Sequence, residues 1–475
     1  ANTYSGGTTV SAGTLQGNNT SLQGNILNNA VVNFDQAVNG TYAGAMTGSG
    51  SLVKSSAGTL LLSGANTYSG GTTVSAGTLQ GNNTSLQGNI LNNAVVNFDQ
   101  AVNGTYAGAM TGSGSLVKSS AGTLLLSGAN TYSGGTTVSA GTLQGNSTSL
   151  QGNILNNALV NFDQAADGVY AGVMSGTGSF IKSGAGRLTL SGGNTYTGNT
   201  TINDGKLAVN GSLTGDVQVN NGGRLQGTGS VGSVTMTSGA VYAPGNSIGT
   251  QTVNGDLAFN NGSIYEVETD PTGAGSDLIQ VNGVATLAGQ VQHIGESGTY
   301  RPLSTYTILT ATGGFAGTTF AGATSDYAFL APLLTYDLNS VYLGLLRNDV
   351  AVADFGQTSN QIATATALDS LPTGGALQIG ILGLTNNEVP GALNALSGEL
   401  YASAAGAVLQ NSQELSHSLL QRSGNQLDES KRTALPLWIE TEGATRRNDG
   451  NSNTAEAIQR GSSVAVGGEL AMPND

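Results

Sequence analysis

The chain has 475 residues, of which 74 are glycine, only 9% are charged and 5% are aromatic, with a formal charge of −14 and no cysteine. The missing cysteine excludes disulfides, thiol nucleophiles and thiolate metal sites, and the acidic balance disfavours nucleic acid and anionic membrane surfaces as partners. So few charges and so much Asn, Thr, Ser and Gly exclude an ordinary mixed α/β enzyme and suit short strands joined by tight turns.

ANTYSGGTTVSAGTLQ begins at Ala1, returns at Ala65 and Ala129, and returns in diverged form at Gly193, a period of 64 residues. The first two copies are identical, and the third differs mildly, as at Ser147 where the others hold Asn19 and Asn83. The opening residues are the middle of a repeat, which implies a cut end with any export signal upstream. Residues 1–192 balance Asp35, Asp99, Asp163 and Asp167 against Lys54, Lys118, Lys182 and Arg187.

Each copy reads as short alternating strands: TTV, TLQ, NIL, AVVNF, TYAGAM, SLV and TLLL. Coils of about 20 residues, each with three strands and three bends, put about three coils in a copy. The alternative is an array of β-sandwiches, one per copy. A 64-residue sandwich with so few large residues buries too little apolar area to offset its ordering entropy, so a solenoid, a right-handed parallel β-helix, is expected. Its predicted core includes Val10, Leu15, Ile26, Leu27, Val32, Phe34, Leu52 and Leu61, with Asn28, Asn92 and Asn156 at equivalent corners.

Residues 200–345 keep the strand pattern, lose the period and gain bulk at Tyr265, Tyr300, Tyr306, Ile308, Leu309, Phe315, Phe320, Tyr336 and Tyr342. They are expected to form the better-packed, capped end of the stalk. From Asp349 the spacing turns helical: Ile362, Ala365, Leu368 and Leu371 form one stripe before Pro372, and Leu393, Leu396, Leu400, Ala404 and Leu409 form another reaching towards Leu419 and Leu420. No apolar run is long enough for a membrane helix. PLWIETEGA (436–444) and SSVAVGGELAM (462–472) read as two strands around a long polar loop, which fits the first hairpin of an outer-membrane barrel. Trp438 is expected near the membrane interface.

GANTYSGGTTVSAGTLQ resembles the passenger-associated repeat of autotransporters, the type V secretion family. APGNSIGTQTVNGDLAF (243–259), SDLIQVNGVATLAG (276–289) and YRPLSTYTILTATGGFAGTTF (300–320) resemble the autochaperone-like C-terminal part of a passenger. NQIATATALDSL (360–371) and LSGELYASAAGAVLQNS (396–412) look like the linker before the translocator barrel, and LPLWIETEGA resembles its first strand. The resemblance divides the chain into repeats (1–192), a C-terminal β-helix cap (193–348), a helical linker (349–434) and the first two barrel strands (435–475). It implies the cell surface and outer membrane of a Gram-negative bacterium, with the outer membrane and the barrel-assembly machinery as partners. In the family the barrel has twelve strands, most of them missing here, and one hairpin leaves open edges in lipid.

Letter matches to chemical motifs are weak. GNSIG, Gly245 to Gly249, has Ser247 where a nucleophile elbow has its serine, but no helix pattern follows. GTGSVG, Gly227 to Gly232, lacks a βαβ setting. His293 and His417 are the only histidines and are read as surface residues. Asp270 and Asp277 flank PTGAGS, more in the manner of a polar turn than of a weak calcium site. Asn18-Asn19-Thr20 and Asn39-Gly40-Thr41 are sequons produced by composition, and Asn386-Asn387 and the region of Asn411 are candidate processing points. No catalytic, cofactor or metal residue is assigned.

The expected function is a non-catalytic adhesin or self-association stalk whose partners are further copies or a host surface ligand, exported by its own barrel. A chain without disulfides passes a narrow pore extended, and a bulky C-terminal part emerging first would template the coils behind it. The alternatives are an inert spacer displaying an upstream protease or esterase domain and a polysaccharide-cleaving solenoid, which the near absence of carboxylates in the repeats disfavours.

Overall fold

The computed structural model describes residues 2, 4, 6–271, 275–295, 300, 304–372, 374–424, 437–448 and 457–468. Two units are distinguished, the first comprising residues 1–294, 305–325 and 332–344, and the second residues 295–304, 326–331 and 345–475.

The first unit is a parallel β-solenoid whose chain visits three sides in fixed order. Strands Thr8–Val10, Ile26–Asn28 and Met46–Thr47 start the first side, Thr14–Gly17 and Val31–Asp35 the second, and Gly40–Tyr42 and Thr59–Leu62 the third. Pairing crosses the copy boundaries, as in Lys54 with Val74 and Thr59 with Thr78, so no copy closes on itself. The sandwich alternative is thereby removed.

The copy and the coil are out of step. On the third side the register runs Gly40, Leu60, Leu79, Val96, Leu116, Thr136, Ile154, Met174, seven steps of about 19 residues each. A 64-residue copy therefore advances three and one-third coils rather than the three expected. TTV strands show the consequence: Thr8–Val10 lies on the first side, Thr72–Val74 on the second, Thr136–Val138 on the third, and Thr200–Ile202 is back on the first. Asn28, Asn92 and Asn156 thus occupy the same local corner on three different sides. Each is buried, with Nδ2 donating to the carbonyl of Ser51, Ser115 or Ser179 at 2.8 Å.

Alternation within strands sets the core. Val32 and Phe34, Leu52 and Lys54, Leu60 and Leu62 point inward, while Asn33, Val53 and Leu61 point outward. Of the residues expected inside, Val10, Ile26, Val32, Phe34 and Leu52 are buried, but Leu27 is 44% exposed and Leu61 lies on the outer face. Leu15 is half-buried because its coil is the first, whereas its counterparts Leu79 and Leu143 are fully buried. Coils stack so closely that a Cβ on Gly44 would lie 1.9 Å from the Gly24 carbonyl oxygen, which accounts for part of the glycine content.

Beyond residue 234 the coils lengthen, from 17 residues between Val217 and Val234 to 28 between Leu257 and Ala285, and strand Thr305–Ala311 is met by Ser340–Arg347 running antiparallel, which covers that parallel edge. Tyr265, Tyr306, Ile308, Leu309, Phe315 and Phe320 are buried, while Tyr336 and Tyr342 are half-buried.

In the second unit Tyr300 is buried against Tyr327. Helix Ser359–Asp369 is opened by a capping box of Thr358 and Gln361 and buries Gln361, Ala365 and Leu368. Ile362 and Leu371, placed by sequence on that stripe, are partly exposed. The second expected helix is two, Val389–Leu396 and Glu399–Gly424, parted at Gly398 with φ +72°. No helix among the described residues is long and apolar enough to cross a membrane. Strands Leu437–Asn448 and Ala457–Gly468 pair antiparallel over their whole length. They extend through ATRRN and AIQRG, which were expected in the loop, and Pro436 and residues 469–472 lie outside the described residues.

Candidate functional site

The motif-like residues do not converge on chemistry. Ser247 sits exposed on a turn between strands Val241–Pro244 and Thr250–Val253, so the strand-turn-helix of a nucleophile elbow is not formed. Its shallow cleft is shared with Arg224, Glu268 and Asp277 and has no histidine among its lining residues. Gly227 to Gly232 runs from the end of one strand into the next short strand, Ser230–Val231.

His293 is buried, contrary to the surface placement expected of it, with Nε2 2.8 Å from Thr269 Oγ1 and Nδ1 3.0 Å from Ser325 Oγ. Burial pushes its pKa down to about 4. His417 is exposed on helix Glu399–Gly424. Asp277 is also buried, and its oxygens accept the Gly249 and Glu268 amides, each at 2.9 Å, so it ties the 245–249 turn to strand Ile264–Thr269. Burial raises its carboxyl to about 7 against those two amides. The Asp270 backbone amide donates to Gly275 O at 2.9 Å and its carbonyl accepts from Tyr306 Oη at 3.0 Å. Nearby, Arg224 grips Glu266 through two contacts of 2.6 Å. Both sequons are engaged by local bonds, Asn18 Oδ1 accepting from Thr20 and Asn39 Oδ1 from the Thr59 amide. The surroundings of the Trp438 side chain lie outside the described residues.

Two features of the repeats escaped the sequence reading. Lys54, Lys118 and Lys182 are fully buried. Each ammonium donates to three carbonyls: Lys54 to Ser55, Ser56 and Ala76 at 2.9, 2.7 and 3.0 Å, and Lys118 and Lys182 at the matching positions. Three donors meeting three acceptors satisfy the cation completely. Burial lowers these lysines and the neighbouring Asp35 or Asp99 opposes the shift. The corner beside each is left-handed, with Ser56 and Ser120 at φ +63° and +64°, and the third copy relaxes it with Gly184. Ser56 Oγ donates to Asp35, which also accepts from Gln16.

With the lysines inside, the central outward row of each side is uncharged, and the aspartates Asp35, Asp99 and Asp163 stand two residues further along the same outward face. The third side shows Thr41, Leu61, Gln80, Asn97, Val117, Thr137 and Leu155 in register. The first side repeats the order as Thr105, Leu125, Gln144, Asn161, Ile181 and Thr201. The second gives Gln16, Asn33, Val53, Thr73 and Leu91. Parity would have found the inward lysine, since Leu52 and Lys54 share a face of SLVKS, but lysine is so seldom buried that composition speaks against it.

Comparison with known proteins agrees with this geometry. The model of the passenger-associated-transport-repeat matches residues 1–16, 52–80, 116–144 and 180–209. The chain is 30% identical over 207 residues to an extracellular serine protease of Serratia marcescens, covering 42% of this chain and 20% of the protease. A second extracellular serine protease of that organism is 28% identical over 207 residues, 41% of this chain and 20% of its own length. Against the adhesin BmaC autotransporter of Brucella suis biovar 1 (strain 1330), the identity is 45% over 56 residues, 11% of this chain and 2% of the adhesin. The chain thus spans about one fifth of the length of the Serratia proteases it matches. Transport repeats stacked into a parallel solenoid, together with partial similarity to these relatives, support an autotransporter passenger, a kind of protein found at the Gram-negative cell surface and outer membrane.

Proposed function

We propose that this passenger is a non-catalytic surface stalk that mediates adhesion or self-association. The observation that supports the reading is the uncharged outer row of the repeats, in which half-exposed apolar residues alternate with neutral hydrogen-bonding ones. With one outward carboxylate per copy, two such stalks approach against little ionic repulsion at physiological salt, and many weak contacts add by avidity. The adhesin named among the relatives agrees with it. Expression of the full gene on a non-aggregating bacterium, with and without residues 1–192, tests it: faster settling or attachment only with the repeats is expected, and equal behaviour of the two strains overturns it.

A second reading, an inert spacer for an upstream protease or esterase domain, is favoured by the two Serratia proteases. It requires that the upstream sequence carry a Ser/His/Asp constellation and that repeat removal leave settling unchanged. On either reading the hairpin 437–468 serves as the start of the translocator barrel. Ile439, Ile458, Val464 and Val466 are exposed on it, as an uncovered lipid-facing surface would be. The bulky cap, emerging first, folds and draws the repeats after it. Polar substitution of Tyr306 and Phe315 then lowers surface display, and normal display of a protease-resistant passenger contradicts that route.

A further inference from the structure

The step of three and one-third coils fixes how a self-associating stalk meets its neighbours. Because each copy turns its outer surface one side further round, three copies give the third side all eight strands of a repeat, from Gly40–Tyr42 to Met174–Ser175. The first and second sides carry the same strands in the same order, offset by one copy, about 16 Å along the axis. We propose that the repeat array is a three-sided interface for second copies of this chain, able to hold neighbours on more than one side at once, rather than a single adhesive face. The proposal rests on the self-association reading and adds its valency and geometry.

The occupant follows from the chemistry of the rows. Lys54, Lys118 and Lys182 are buried, and Asp35 and Asp99 are held by Gln16 and Gln80 and by Ser56 and Ser120. The central rows therefore carry no charge, and beside them each copy shows one outward carboxylate, Asp35, Asp99 or Asp163, hydrogen-bonded to Gln16, Gln80 or Gln144. An identical row, with its own Thr, Leu, Gln, Asn and Val, offers matching apolar contacts and both donors and acceptors. Size agrees: ten coils at about 4.8 Å, with strands about 15 Å wide, give each side roughly 700 Å² over three copies, close to the approximately 800 Å² per partner of a specific interface. One copy gives about a third of that, so side-by-side binding needs several copies.

Charging the sides one at a time tests this in the full chain displayed on cells. The pairs Val53→Lys with Thr73→Lys, Val117→Lys with Thr137→Lys, and Ile181→Lys with Thr201→Lys place two cations on the second, third and first sides respectively. These positions face outward, and lysine can extend into solvent from them. Each pair alone is expected to slow settling several-fold without stopping it, and all three together to stop it. Mixing cells that carry the six lysines with cells that carry six glutamates at the same positions should restore settling, which misfolded chains could not do. If one pair abolishes association while the other two leave it unchanged, a single face is responsible and the three-sided interface is overturned. Failure of the parent chain to associate at all overturns the self-association reading, and the interface with it.

Discussion

In the first two copies of the repeat array one pair of rings meets, Phe34 with Tyr42 and Phe98 with Tyr106, both at 5.0 Å, and the third copy adds Phe180 beside its Phe162–Tyr170 pair. Towards the far end Phe259 packs against Tyr242, Tyr265 and Phe320 at once, at 6.1, 5.7 and 5.3 Å. The array instead spends a buried lysine on every copy, and that lysine closes a corner through backbone carbonyls. Both regions stack parallel coils. The array is bound by small contacts that recur, so it can be lengthened without change; the cap is bound by contacts made once, so it can end a stack but not extend it.

The sharpest way to break this contrast is at the ring cluster. Phe259→Ala should cost about 3–5 kcal/mol of cap stability, read as a lower denaturant midpoint for the cap, with the array left to fray from that end. Lys118→Met should cost somewhat less, about 2–4 kcal/mol, because the carbonyls of Ser119, Ser120 and Ala140 lose their donor together. If the methionine variant matched the parent in denaturant, the buried cation would not be what holds the corner.

Titration separates the regions more gently. His293, lowered to about 4, contributes stability present above its unfolded value of about 6.5 and lost as pH falls towards 4. Asp277, raised to about 7, acts the other way: its contribution is full below about 3.8 and is lost as pH rises to 7. The two slopes oppose each other in the cap between pH 4 and 6.5. Asp277→Asn should leave a cap that weakens on acidification, and His293→Gln one that weakens as pH rises. Midpoints measured from pH 4 to 7 that stay flat in both variants would remove this account. The smallest effect belongs to the array: deletion of residues 65–128 joins Gly64 to Ala129, restores the native junction sequence, and should leave the cap midpoint unchanged.

The solenoid was legible because 64-residue identity and period-two alternation survive in the letters. The coil length was not. Seventeen to twenty residues separate paired strands in the array, and two of the ten passages over a side in the second copy, around residues 65–69 and 82–86, form no regular strand, so counting strands undercounts sides. TLLL shows a second limit: three adjacent leucines carry no parity, and the reading chose Leu61 where Leu60 and Leu62 are inside. His293 was misplaced although Val291, two residues before it, is inward on the same strand; polarity outweighed position. The outer rows were invisible because residues 17 to 20 apart become neighbours only once the register is known.

Spin-label distances test the three-and-one-third-coil step most directly, and a chain without cysteine admits two unique labels. Leu61 and Val117 lie three coils apart on one side, so labels on Leu61→Cys and Val117→Cys should sit about 14 Å apart, while Leu61→Cys and Leu125→Cys, one copy apart on different sides, should be farther. The reverse order, with Leu125 the nearer, would mean that each copy closes a whole number of coils, and the account of this stalk would be wrong.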